Sequence, residues 1–171
     1  MTFTRTDDAT LRQMLTELRD VPWHWRVDEV DDLAARLGWR ITDRWDKGAE
    51  FEVAWALPDR GALLTYWTGG ARQMDFDLTA HTGRGPETAA AADDAFAEFA
   101  AIGTEVLGMP DESAPGRNPS LLWRTAESTF ELSMFADTIT VTWSSNDYRQ
   151  FLKETAVEDT SGLEDEEDED A

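Results

Sequence analysis

Apolar residues recur along this chain with two periods, and the change from one to the other divides its first half. Leu11, Met14, Leu15 and Leu18 keep the i, i+3, i+4, i+7 spacing that gathers side chains on one face of a 3.6-residue helix. With Asp7 and Asp8 ahead of them, they predict a helix over about residues 8–19. Val27, Val30, Leu33, Ala34 and Leu37 predict a second helix. Asp28 is its expected N-cap, Glu29, Asp31 and Asp32 complement the positive end of its dipole, and Gly38 is its left-handed stop. From Trp39 the period drops to two. Strands are predicted over residues 39–45, 51–57, 62–68 and 74–81, with turns at Asp46-Lys47-Gly48, Pro58-Asp59-Arg60-Gly61 and Gly69-Gly70. The third of these is apolar on both faces, which suits a central position in a sheet.

Thr82-Gly83-Arg84-Gly85-Pro86 ends the meander, and Pro86 opens a helix to about Leu107. That helix turns Ala92, Phe96, Phe99, Gly103 and Val106 to the core and stops at Gly108. A loop over 109–119 with three prolines leads to strands at 121–125, 129–135 and 138–143, the last two joined tightly by Ala136-Asp137. Asn146 is the expected cap of a short final helix carrying Tyr148, Phe151 and Leu152. Hairpin-length links imply antiparallel pairing. The fold class is therefore α+β: an antiparallel sheet (a four-strand meander, a helix, then about three more strands) with helices packed on one face. Residues 1–156 are expected to form one domain and 157–171 a disordered acidic tail.

Composition adds a compartment and a sign of charge. The chain has 171 residues, eight Trp and eight Phe, no cysteine and a formal charge of −21. An aromatic content of this order argues for a packed core. Without cysteine there are no disulfides, thiolate nucleophiles or cysteine metal sites. No stretch approaches the roughly 20 apolar residues of a membrane span, and the first residues resemble no signal peptide. A soluble cytoplasmic protein is expected. Nine of the carboxylates lie between residues 158 and 170, so the remainder still carries −12. Such a field repels nucleic acid and anionic membranes and attracts basic partners, besides keeping a protein soluble.

Candidate chemistry is sparse. Asp75, Asp77, Thr79 and His81 alternate along one strand and so share a side. Two carboxylates and an imidazole there would suit a metal or acid–base work, though any half-exposed strand has this pattern. A zinc site would need His24 and His81, the only imidazoles, brought together. There is no nucleophile elbow, and Gly83-Arg84-Gly85 lacks the lysine and spacing of a phosphate loop. Trp23, His24 and Trp25 form either an aromatic partner surface or a seam between helices. Trp45, Trp67, Trp123 and Trp143 lie on or near strands, so a sheet face or edge presents several together unless they fill the core. The partner-binding candidates are Trp23, His24, Trp25, Trp45, Trp67, Asp75, Asp77 and His81, with no catalytic residue, metal ligand or cofactor assigned.

Three segments carry a resemblance: PWHWRVDEVDDLAARLGW (22–39), an alanine-rich helix ending VLGMP (106–110), and LLWRTAESTFEL (121–132). In these the chain resembles a family of uncharacterised small acidic, Trp-rich cytosolic proteins of high-GC actinobacteria, a domain without known activity. The order of elements also looks like that of secretion-chaperone-like folds, from which the extra N-terminal helix departs. By analogy, small acidic proteins of such genomes are often immunity proteins. Together these imply a non-enzymatic protein-binding protein, an immunity protein or dedicated chaperone for a basic protein partner. The alternative is a small-molecule- or metal-binding, hydrolytic domain using Asp75, Asp77 and His81.

Overall fold

The chain alternates helices with strands, most of which join one broad antiparallel sheet. The structure, a computed structural model, describes residues 2–55, 57 and 61–161, with side chains to residue 156. In order these form β1 (Thr2–Arg5), α1 (Asp8–Asp20), a 3-10 turn (Val27–Glu29), α2 (Val30–Leu37), β2 (Arg40–Trp45), β3 (Gly48–Glu52), β4 (Ala62–Trp67), β5 (Gly70–Asp77), β6 (Thr79–Thr82), α3 (Pro86–Leu107), β7 (Glu112–Ala114), β8 (Ser120–Arg124), β9 (Ser128–Phe135), β10 (Thr138–Ser145) and α4 (Asn146–Ser161).

Eight strands make the main sheet in the order β2-β3-β4-β5-β10-β9-β8-β7, and β1 pairs with β6 in a two-stranded ribbon. The meander is therefore present, and the late strands join it because β10 pairs antiparallel with β5, Trp143 opposite Met74 and Val141 opposite Phe76. The β9–β10 link is the two-residue turn expected: Ala136 and Asp137 have φ of 48° and 64°, the left-handed pair that matches strand twist.

The core lies between one face of the sheet and α1, α2 and α3. Leu11, Met14, Leu15 and Leu18 of α1 are all buried, as are Val30, Leu33 and Ala34 of α2. Asp7 caps α1, its carboxylate accepting from the Thr10 N–H at 2.8 Å. Gly38 ends α2 at φ 69°. In α3 the buried positions are Thr88, Ala92, Ala95, Phe99, Ile102 and Gly103. From the sheet come Phe51, Leu64, Met74, Phe76, Phe130, Leu132, Ile139, Val141 and Trp143.

Several expectations need correction. Asp28 does not cap the second helix. Residues 27–29 form a 3-10 turn, and the Asp28 carboxylate pairs with Arg26 at 2.8 Å. The strand expected to reach residue 57 ends at Glu52; Val53, Trp55 and Leu57 stay buried although irregular, because the core below takes their side chains without a ladder. The strand expected over 74–81 breaks at Leu78, whose N–H still bonds Ile139 O (2.8 Å) while its carbonyl accepts from Thr6 N (2.8 Å). That corner passes the chain into β6, which pairs with β1. Ser145, not Asn146, caps α4 through its hydroxyl and the Tyr148 N–H at 3.3 Å, whereas the Asn146 side chain bonds Thr129 and Thr125. α4 itself runs past residue 156 to Ser161 and is the one helix on the opposite face, where Arg149 reaches Ser144 and Glu131. The Pro58-Asp59-Arg60 turn and residues 162–171 of the expected tail lie outside the described residues.

Candidate functional site

The tryptophans settle first, since burial decides whether they form a surface. Trp23 and Trp25 are core residues, each 4% exposed, and the expected aromatic surface does not form there. Trp25 packs at a tilt against Trp143 (4.8 Å between centroids) and Trp23 (5.6 Å), and its indole N–H donates to Ser128 Oγ at 2.9 Å. Its backbone is left-handed, φ 59°, which costs a bulky residue about 1–2 kcal/mol. The carbonyl it so aims accepts from Ala71 N at 2.9 Å, where Gly70 leaves room. Trp39, Trp55, Phe51 and Phe76 form a second cluster. Trp123 and Trp143 are buried. Trp67 packs on Tyr148 and Phe151 of α4. Trp45 alone of the eight is broadly open, at 42% exposure.

The histidines do not meet the aspartates. His81 lies on the ribbon with Nδ1 3.1 Å from Gly83 O and Nε2 3.3 Å from Ala136 O. His24 is exposed beside Glu29 (3.3 Å) and Glu127 (3.9 Å). Among the described residues no three His, Asp or Glu side chains are grouped to hold a metal.

What the structure does assemble is the sheet face opposite α1–α3. Strand register runs one outward row across seven strands: Glu50, Leu63, Asp75, Thr142, Glu131, Leu122 and Glu112. Asp77 and Thr140 begin the row beside it. The charges along the first row are handled differently at its two ends. Arg149 pairs with Glu131 at 2.6 Å and Arg124 with Glu112 at 2.7 Å, the latter holding the Glu112 carboxyl below its usual range by hydrogen bond and charge. At the other end Asp75 accepts from two neutral groups, Thr142 Oγ1 (2.7 Å) and Gln73 Nε2 (3.2 Å). The half-buried Glu50 carboxylate has no partner among the described residues. Asp77 accepts from Thr140 Oγ1 at 3.1 Å.

Glu50, Asp75 and Asp77 are among the residues that line a hollow of about 380 Å³. The described lining joins core residues (Met14, Trp55, Ala62, Phe76 and Leu78) with Leu57, Leu63 and the three acids, and Gly61 lies against the Glu50 carboxylate. Leu63, 48% exposed, stands between Glu50 and Asp75 on the neighbouring strands. Of the sequence candidates, this site keeps Asp75 and Asp77. Glu50 and Leu63 were missed, although the polar phase of β3 and the double-apolar β4 are visible in the sequence, because only the register sets them side by side.

Fold and site thus define an α+β protein with a broad sheet, one face sealed by helices and the other acidic at one end. The chain belongs to a family of unknown function, DUF6301, whose model matches residues 9–145. No curated protein matches it. Among solved structures it is similar to a DUF4309 family protein (YjgB) from Bacillus subtilis, at 11% identity and a TM-score of 0.38, over 81% of this chain and 95% of that one. A likeness at that level carries no argument. Among the described residues no helix is long and apolar enough to cross a membrane.

Proposed function

We propose that this chain is a non-enzymatic, cytoplasmic protein-binding protein that docks a basic protein partner on the β3–β4–β5 end of its outer sheet face. One observation carries the reading: the carboxylates of that face are matched by arginines at the β7–β9 end and, among the described residues, left without a cation at Glu50 and Asp75. Carboxylates held on β3 and β5, either side of β4 in one sheet, keep their spacing, so a cationic segment gains attraction without ordering the site first. The net charge of −21 adds long-range steering of such a partner. An immunity protein or a dedicated chaperone is the kind of binder that fits this surface.

Charge distribution, and not bulk charge, is what the test must isolate. A tagged Glu50→Lys/Asp75→Lys variant and an Asp93→Lys/Asp94→Lys variant carry equal net charge, the second pair being exposed on α3. Each is used with the wild type to capture partners from native lysate at low and high salt. The reading expects one stoichiometric basic protein, released by salt, retained by the α3 variant and lost by the sheet variant. Equal loss from both variants, or retention by both, refutes it.

A further inference from the structure

We infer that the N-terminal end of α3 binds a phosphate group, free or carried by a small ester. The site shares no residue with the acidic hollow on the sheet, and the inference does not rest on the docking reading. α3 runs for 22 residues and opens with Pro86, which has no N–H, after Gly85, which has no side chain to cap it. Ala89 N donates to Gly85 O at 3.0 Å, but the Glu87 and Thr88 N–H groups leave the helix end without an acceptor among the described residues. A helix end of this kind favours anions through its dipole and its free donors. Thr88 supplies the independent observation. It lines the hollow of about 660 Å³ at this helix end, is 1% exposed, and its hydroxyl has no hydrogen-bond partner. A buried hydroxyl without a partner is costly, and an acceptor entering the hollow would satisfy it. Arg84, in the same lining, is exposed and has no ion pair among the described residues. Backbone N–H groups, a hydroxyl and a guanidinium together suit a phosphate with three terminal oxygens better than a two-oxygen carboxylate. A Cβ at Gly83 or Gly85 would meet nothing within 4 Å, so the backbone is open to approach. No aromatic side chain is among the described lining residues, so a nucleobase would have nothing to stack on and the ester is a small polar one. The exposed Glu87 carboxylate and the net charge of −21 oppose any anion, so binding depends on the directed donors and not on general attraction.

The test uses the full chain, ¹⁵N-labelled, titrated at fixed pH and ionic strength with inorganic phosphate, glycerol 3-phosphate, acetate and glycerol. Saturable shifts at the Gly83, Arg84, Gly85, Glu87 and Thr88 amides are expected with the two phosphates and not with acetate or glycerol. The start of α1, already capped by Asp7, should stay unmoved. Tighter binding of glycerol 3-phosphate assigns the site to an ester, and tighter binding of inorganic phosphate assigns it to the free ion. Thr88→Val removes the hydroxyl and should weaken binding at least fivefold; Arg84→Gln should weaken it about tenfold, and Glu87→Gln should strengthen it. Because the hydroxyl has no partner, Thr88→Val should melt no lower than wild type without phosphate. Added phosphate should then raise the Tm of the wild type and not that of the variant. Shifts that do not saturate, an equal response to acetate, shifts at every helix start, or undiminished binding in Thr88→Val each overturn the inference. Should Thr88→Val fail to fold, the surface variant Arg84→Gln decides, and undiminished binding there overturns it as well.

Discussion

Replacing Gly103 by alanine sets helix propensity against packing. Within the 22-residue α3, propensity alone favours alanine over glycine by about 1 kcal/mol. The structure reverses the sign. A Cβ at Gly103 would lie 2.7 Å from Cη2 and 3.0 Å from Cζ2 of Trp123, closer than carbon atoms approach. The ring cannot easily yield, for its N–H donates to Gly108 O at 2.8 Å and the residue is 3% exposed. The free space beside it, among Leu11, Leu15, Phe99 and Leu107, is about 10 Å³, too small for a displaced ring edge. Overpacking of this kind costs about 1–3 kcal/mol, and a stretched indole hydrogen bond adds about 0.5–1.5 kcal/mol. Set against the propensity gain, Gly103→Ala should destabilise by about 0.5–3.5 kcal/mol, lowering Tm by roughly 1–14 °C for a chain of this size. Urea unfolding followed by circular dichroism measures it. Trp123→Phe removes the part of the ring that collides, so in a double-mutant cycle the alanine should cost less in the phenylalanine background. A Gly103→Ala protein more stable by about 1 kcal/mol would refute the packing argument.

Three further outcomes are expected. Gly70→Ala places a Cβ 2.6 Å from Trp25 O at φ 136°, so steric overlap and backbone strain should together cost about 2–4 kcal/mol, read by the same urea titration. Asp7→Ala removes a carboxylate held below its usual range chiefly by the Thr10 N–H. Because the folded pKa is depressed, the stability it lends is complete above the unfolded value near 3.8 and disappears as pH falls through the folded one. The gap between wild type and variant should therefore be level near neutral pH and close below about pH 4; a gap unchanged at pH 3 would contradict the capping assignment. Trp45→Phe should abolish most acrylamide-quenchable tryptophan emission, since Trp45 is 42% exposed and the other indoles are buried or covered.

Local rules made much of the architecture legible. The bounds of α3 follow from Pro86 and Gly108, the end of α2 from Gly38, and the β9–β10 hairpin from its two-residue turn, because each depends on neighbours a few positions away. The breaks that were missed have distant causes. β5 ends at Asp77 because Leu78 answers to Thr6 on one side and Ile139 on the other. The irregular stretch after Glu52 keeps its apolar alternation, since Val53, Trp55 and Leu57 enter the core without strand pairing. β1 and β7 are short edges with no periodicity of their own and exist through their partners β6 and β8.

The sequence by itself determined the α+β class, the meander, the acidic charge and the candidacy of Asp75 and Asp77, since composition and short-range periodicity are properties of the chain alone. Tertiary structure decided which polar residues matter. It took Trp23 and Trp25 into the core, kept His81 on the ribbon, and matched Glu131 and Glu112 with arginines while leaving Glu50 and Asp75 without one among the described residues. Charge matching and burial depend on contacts between residues far apart in the chain, such as Asp75 with Thr142, and no local pattern encodes them.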